Sequence, residues 1–251
     1  MENEKLYGQM NFNLPHDVVE LPSKGLYYKS KKSSVKVGYL TAADEDILSS
    51  GVKNNNLLTT LLRNKLYEPD LKPEDLLDGD IESILIFLRN TSFGPEYTLN
   101  LMDPATGKMF QHSFVIDEIN FKTPKTTPNE DGTFNTTLPR SGANVKLRLL
   151  SLGDKTKITD MESKYPKGRV APTTIWTLQE QIVELNGETD KGKIIEFVQN
   201  MPIMDSKHIK RFLSDNEPGL DLTLNAIAPS GENVSTSITF GVDFFRPFFN
   251  I

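Results

Sequence analysis

Cysteine is absent from this sequence, which excludes disulfides, thiolate nucleophiles and every cysteine-ligated metal site. Histidine is scarce. His16, His112 and His208 are the three present, and no His-x3-His or His-Glu-x-x-His pair joins them, so neither a metal site nor an acid–base centre is expected. Phosphate-cradling glycine loops of the Gly-x-Gly-x-x-Gly or Gly-x4-Gly-Lys-Ser/Thr kind are missing, which leaves no foothold for a nucleotide or other cofactor. A Gly-x-Ser-x-Gly elbow is missing as well, which argues against that common hydrolase type. No apolar run approaches the roughly 20 residues of a membrane span. The opening MENEKLYGQMNFNLP has neither the basic nor the apolar region of a signal peptide, so the expectation is a protein with no membrane partner, cytosolic where it is made. Positive charge is also in deficit: 28 Lys and Arg stand against 34 Asp and Glu, a net charge of −6. Non-specific nucleic-acid affinity rests on neutralising phosphates, so no nucleic acid is expected as a partner, and Lys29-Ser30-Lys31-Lys32 reads as a solvated loop.

What is present suits a folded, soluble chain. With 251 residues, 37% hydrophobic and 25% charged, there is enough apolar mass for a core, and the length favours two units over one. Two segments align without gaps, Val35-Lys36-Val37-Gly38-Tyr39-Leu40-Thr41-Ala42-Ala43-Asp44 and Val145-Lys146-Leu147-Arg148-Leu149-Leu150-Ser151-Leu152-Gly153-Asp154. Upstream of them lie Leu21-Pro22-Ser23-Lys24-Gly25 and Leu138-Pro139-Arg140-Ser141-Gly142. A later match keeps a constant spacing of 125 residues: Asp80 with Asp205, Ile84 with Ile209, Phe87 with Phe212, Leu88 with Leu213, Gly94 with Gly219, Leu99 with Leu224 and Pro104 with Pro229. In each copy an Asp suited to capping precedes an i, i+3, i+4 apolar stripe, then a Gly, then two strands around a tight turn.

These signals predict an α+β fold of two duplicated strand–helices–β-hairpin units. The first unit spans 1–121 and the second 138–251. Residues 122–137, rich in Pro, Thr, Asn and Gly, read as an exposed connector. Strands are predicted near 26–28, 35–40, 96–102 and 109–117 in the first unit, with helices from Thr41, over 56–66, at 73–75 and over 80–90. The second unit is predicted to hold strands at 144–150, 220–227 and 233–242 and helices at 154–163, 173–186, 190–200 and 205–214.

No catalytic, cofactor-binding or metal-binding residue emerges. Asp44-Glu45-Asp46 resembles a carboxylate cluster, but acids in a helical first turn are explained by the helix dipole. The end of the chain is more informative. Phe244, Phe245, Phe248 and Phe249 crowd an apolar tail that must be buried somewhere, and these four are the candidate partner-binding residues. Burial in the chain's own core is the reading placed ahead of that one, since Arg246-Pro247 lets the two pairs turn to opposite sides.

The ordered set Leu21-Pro22-Ser23-Lys24-Gly25, Val35 to Leu40 with Thr41-Ala42-Ala43-Asp44-Glu45-Asp46-Ile47-Leu48, Asp75-Leu76-Leu77-Asp78-Gly79-Asp80 and Leu88-Arg89-Asn90-Thr91-Ser92-Phe93-Gly94-Pro95-Glu96-Tyr97 resembles the baseplate hub assembly proteins of T-even-type contractile-tailed phages. Leu138-Pro139, Val145 to Leu150 and the late Phe-Phe extend the resemblance over nearly the whole chain. Relatives carry Cys-Pro-x-Cys knuckles of the zinc-ribbon kind in the hairpins. The matching turns here, Met102-Asp103-Pro104-Ala105-Thr106-Gly107 and Ile227-Ala228-Pro229-Ser230-Gly231, keep Pro and Gly without thiolates, so the resemblance implies metal-free knuckles. It also implies a non-catalytic, chaperone-like helper of hub formation that contacts phage baseplate hub proteins in the host cytoplasm, with no small-molecule substrate. A structural hub subunit retained in the virion's tail baseplate is the nearest alternative, and a cell-wall-acting hydrolase is the distant one.

Overall fold

β-Branched valines place the first two described elements in paired strands. The computed structural model describes residues 15–49, 54–117 and 119–245. Strand β1 (His16–Glu20) pairs antiparallel with β2 (Ser34–Gly38), Val19 facing Val35 across the ladder. The predicted strand at 26–28 is instead part of a tight turn region. Gly25 there has φ of 71°, and a Cβ at that position would run into the Lys31 backbone, so the chain reverses where a strand would have to extend.

Helices α1 (Ala42–Ser49) and α2 (Asn54–Lys65), a 3-10 turn at Pro73–Asp75 and the long helix α3 (Asp78–Phe93) follow, then the hairpin β3 (Glu96–Met102) and β4 (Met109–Val115). Helix α3 buries Asp80, Ile84 and Leu88, one stripe at i, i+4, i+8. The second half follows a similar order, with one strand and one helix added before its long helix. Strands β5 (Phe134–Thr137) and β6 (Asn144–Leu147) pair antiparallel. Helices α4 (Leu152–Ser163) and α5 (Thr173–Gln181), strand β7 (Ile182–Leu185), and helices α6 (Lys191–Gln199) and α7 (Ile203–Asn216) come next. The hairpin β8 (Thr223–Ile227) and β9 (Asn233–Ser237) and the short helix α8 (Val242–Phe245) end the described chain. The mixed α+β character expected from the sequence is therefore observed, built on small antiparallel sheets of two or three strands.

Two further local expectations need correction. The helix predicted over 173–186 stops at Gln181, because Ile182–Leu185 leaves the helix to pair with β6; the β-branched Ile182 and Val183 favour that strand. The stretch 122–137 is mostly exposed up to Asp131 but is not free to its end. Gly132, Thr133 and Phe134 are buried, and β5 occupies its last four residues. Its exposed part is also tied down along the end of α7, with the Lys122 N–H donating to Gly219 O at 2.8 Å and the Thr126 N–H to Asn216 Oδ1 at 2.5 Å.

One apolar cluster takes in residues of both halves, from Val19 and Leu21 through Ile84 and Leu88 to Ile209, Leu213 and Phe245. Phe134 sits between them, its ring 6.0 Å from Tyr27 and 5.9 Å from Phe212. At the seam Gly79 meets Gly219 so closely that a Cβ on Gly79 would fall on Pro218 O and Gly219 Cα.

Candidate functional site: clamped turns, the seam and the aromatic end

Matched positions in the two halves carry matched geometry. Asp80 and Asp205 are both the third residue of their helices, following Leu77 and Pro202 as N-caps, and neither caps its own helix as the sequence suggested. Each carboxylate reaches across to the Leu-Pro-x-x-Gly turn of its own half. Asp80 Oδ1 accepts the Ser23 N–H at 2.9 Å, and Asp205 accepts the N–H of Arg140 at 2.7 Å and of Ser141 at 3.0 Å. Gly25 and Gly142 close these turns at φ of 71° and 70°. Both carboxylates are fully buried, so bonding to the turn amides is what makes their burial tolerable.

The two clamps differ in their ionisation. Asp80 takes one turn N–H and the Tyr28 hydroxyl, which itself accepts the Leu77 N–H at 3.0 Å. Burial outweighs these bonds and holds the Asp80 carboxyl above its ordinary range. Burial also acts on Asp205, but its two backbone donors prevail and hold it below that range. The Tyr28 hydroxyl is raised by burial and by the Asp80 charge beside it, and Tyr27 is pushed up to about 12 by the same two causes.

Smaller clamps start the first helices of each half. The Thr41 N–H and hydroxyl both donate to Asp44 Oδ2 at 2.7 Å, and Ser151 and Asp154 bond reciprocally as a capping box. Asp44 pairs with buried Lys65, while Asp154 is forked by Arg148 at 2.6 and 2.9 Å. Asp44 of the acidic run is thus buried and bound to Thr41 and Lys65.

A cleft of about 440 Å³ opens between the halves and is lined in part by Tyr27, Tyr28, Lys29, Asp75, Asp131 and Arg148. Three of its charged groups are occupied: Arg148 by Asp154 and Glu180, Asp131 by Lys146 and the Thr133 N–H, Asp75 by the Lys72 N–H. Nearby on the seam, Glu82 faces Asp78, Glu217 and Lys122. Burial pushes its carboxyl up to about 7, with Lys122 opposing and the two neighbouring carboxylates adding to the rise. The three histidines lie apart, His16 edge-on to Tyr67, His112 against Phe114, and His208 bonded to Thr136 Oγ1 at 3.1 Å. Among the described residues, no group of three or more His, Asp or Glu is placed to hold a metal ion.

Of the four phenylalanines singled out in the sequence, Phe244 and Phe245 are buried in the chain's own core, and Phe248 and Phe249 lie outside the described residues. Phe244 packs 5.6 Å from Tyr97 and 5.0 Å from Phe240. Between them sits Arg89, fully buried, which donates to Gly94 O at 2.8 Å and to Glu96 O and lies 5.3 Å from the Tyr97 ring and 5.6 Å from that of Phe244. The end of the second half thereby seals a buried cation of the first. Nothing in the sequence pointed to Arg89, because an arginine on a helix that ends four residues later reads as a solvated one. Equally hidden was the contact of the two hairpin turns, where Asp103 accepts both the Ser230 hydroxyl at 2.7 Å and its N–H at 3.2 Å.

Clamped turns, a shared core and hairpins bound tip to tip define a scaffold whose buried polar groups hold its own chain in shape. A family model described as T4 bacteriophage base plate protein matches residues 14–246, and the chain belongs to that family. No curated protein and no solved structure matches it. It is thus a phage protein of the T4 baseplate type. Among the described residues no helix is long and apolar enough to cross a membrane.

Proposed function

We propose that this baseplate protein acts in forming the baseplate hub, as a chaperone-like helper that contacts hub proteins in the host cytoplasm and catalyses no reaction. The observation that carries this reading is the extent of the family match, residues 14–246, over the same ordered motifs that resemble hub assembly proteins. Those motifs fall on Leu21–Gly25, Thr41–Leu48 and Asp75–Asp80, the turns and helix starts that the buried carboxylates clamp. The cleft at the seam lends support, since Arg148, Asp131 and Asp75 in it are bound to neighbouring groups of the chain. Such groups shape a surface, whereas a reaction centre needs polar groups converging on a substrate.

A structural subunit retained in the particle is the second reading, favoured by the family's own description as a base plate protein. Quantitative mass spectrometry of purified tails beside infected-cell lysate separates the two. A helper that leaves is found in the lysate with hub proteins and is missing from tails. Fixed stoichiometry in tails would make it a subunit and end the transient reading, and release of peptidoglycan fragments by the purified chain would end the non-catalytic one.

A further inference from the structure

The two hairpins present the same outward face. Register and burial turn Thr98, Asn100 and Met102 outward on β3, and Thr223, Asn225 and Ile227 outward on β8. The alternate residues, Leu99 and Leu101 or Leu224 and Ala226, pack on the core. Thr-x-Asn-x-apolar is therefore held at one register in both halves, at positions where packing within the chain does not require it. Over the same stretch the inward Leu101 has become Ala226. Glu96 is the one charged residue among the outward positions of all four strands, in a chain that is 25% charged. Met102, Met109 and Ile227 remain 59%, 64% and 68% exposed. Solvated strands are guarded by charge, whereas charge-poor faces with Met among them have the composition of an interface centre.

We propose that these hairpin faces form the contact between two copies of this chain. Hydroxyl and amide side chains both donate and accept, so a face of Thr, Asn, Gln and Ser complements itself, as a two-fold contact demands. The side chains of Asn100, Gln111, Asn225 and Asn233 make no hydrogen bond to another described residue, which leaves their donors and acceptors available. With a net charge of −6, copies repel one another, and the uncharged faces are where they meet with least opposition. Met102 and Ile227 supply the apolar contribution. This pairing goes beyond the assembly role and does not depend on it.

Sedimentation equilibrium of the full chain, from about 1 to 100 μM, tests the proposal beside N100E, N225E, N100K and N225K. All four substitutions sit on outward strand positions, and far-UV circular dichroism checks that each variant keeps the fold. The wild type is expected to approach twice 28.2 kDa, and each variant, whichever its sign, to weaken the dimer roughly tenfold or more, about 1.4 kcal/mol per tenfold. A wild type that stays at monomer mass overturns the proposal. So does a dimer that all four variants leave intact, and so does one weakened by Glu but not by Lys, which would reflect overall charge and not burial of this face.

Discussion

Asp80 and Asp205 occupy the same place in their halves and are shifted in opposite directions: burial prevails over the bonds from Ser23 and Tyr28 at Asp80, whereas the bonds from Arg140 and Ser141 prevail over it at Asp205. A carboxyl held low in the folded state contributes stability that is present above its unfolded pKa and lost as pH falls through the folded one. Asp205→Asn would set an amide NH2 against one of the two turn N–H groups. Urea unfolding should show a loss of about 1–3 kcal/mol at pH 7, and the difference from wild type should shrink as Asp205 itself becomes protonated in acid. Glu82 works with the other sign. Held at about 7 against an ordinary 4.5, it keeps its proton in the folded chain where the unfolded chain has lost it, so stability falls as pH rises through that window. Glu82→Gln retains an acceptor for the Leu220 N–H that bonds this carboxyl. It should raise the melting temperature at pH 8 and leave it nearly unchanged at pH 4.5, a gain on the order of 1 kcal/mol after allowing for partial exposure. A larger gain at pH 4.5 than at pH 8 would refute this assignment.

Helix α8 is the shortest helix described and one of the most consequential, since Phe244 covers Arg89 and Tyr97 of the first half. Truncating it should cost about 3–5 kcal/mol, with the added effect of opening a buried cation to water. Chemical denaturation of Phe244→Ala checks this; a loss under 1 kcal/mol would mean that α8 is only loosely docked. The phenylalanine cluster was visible in the sequence as an apolar end needing cover, but what covers it depends on Tyr97, far away in the chain. Helices α3 and α7 and both hairpins were legible, because their apolar stripes and turn residues are local signals. Strands β5 and β7 were not. Phe134 lies among turn formers, and Ile182–Leu185 continues a helical pattern, so pairing with β6 decided both. The Asp103 to Ser230 contact joins residues whose neighbours in sequence give no hint of each other.

For the whole molecule, the halves share one apolar cluster and bonds across the seam, including Leu152 N–H to Leu76 O at 2.9 Å and Lys155 to Asp78. Thermal unfolding followed by calorimetry should therefore show one cooperative transition, and residues 1–121 expressed alone should lack the protection against hydrogen exchange that α3 has in the full chain. Two separate transitions would show that the halves fold independently. A self-clamped scaffold suits a protein that offers surfaces to other baseplate components, and its place in assembly is open to direct test. The most telling measurement is the yield of baseplate hub intermediates in cells infected by phage lacking this gene, with and without the protein supplied in trans. Our account predicts that hub intermediates fail to form while tail proteins are still made, and that the supplied chain restores them. Complete hubs of normal yield in its absence would contradict it.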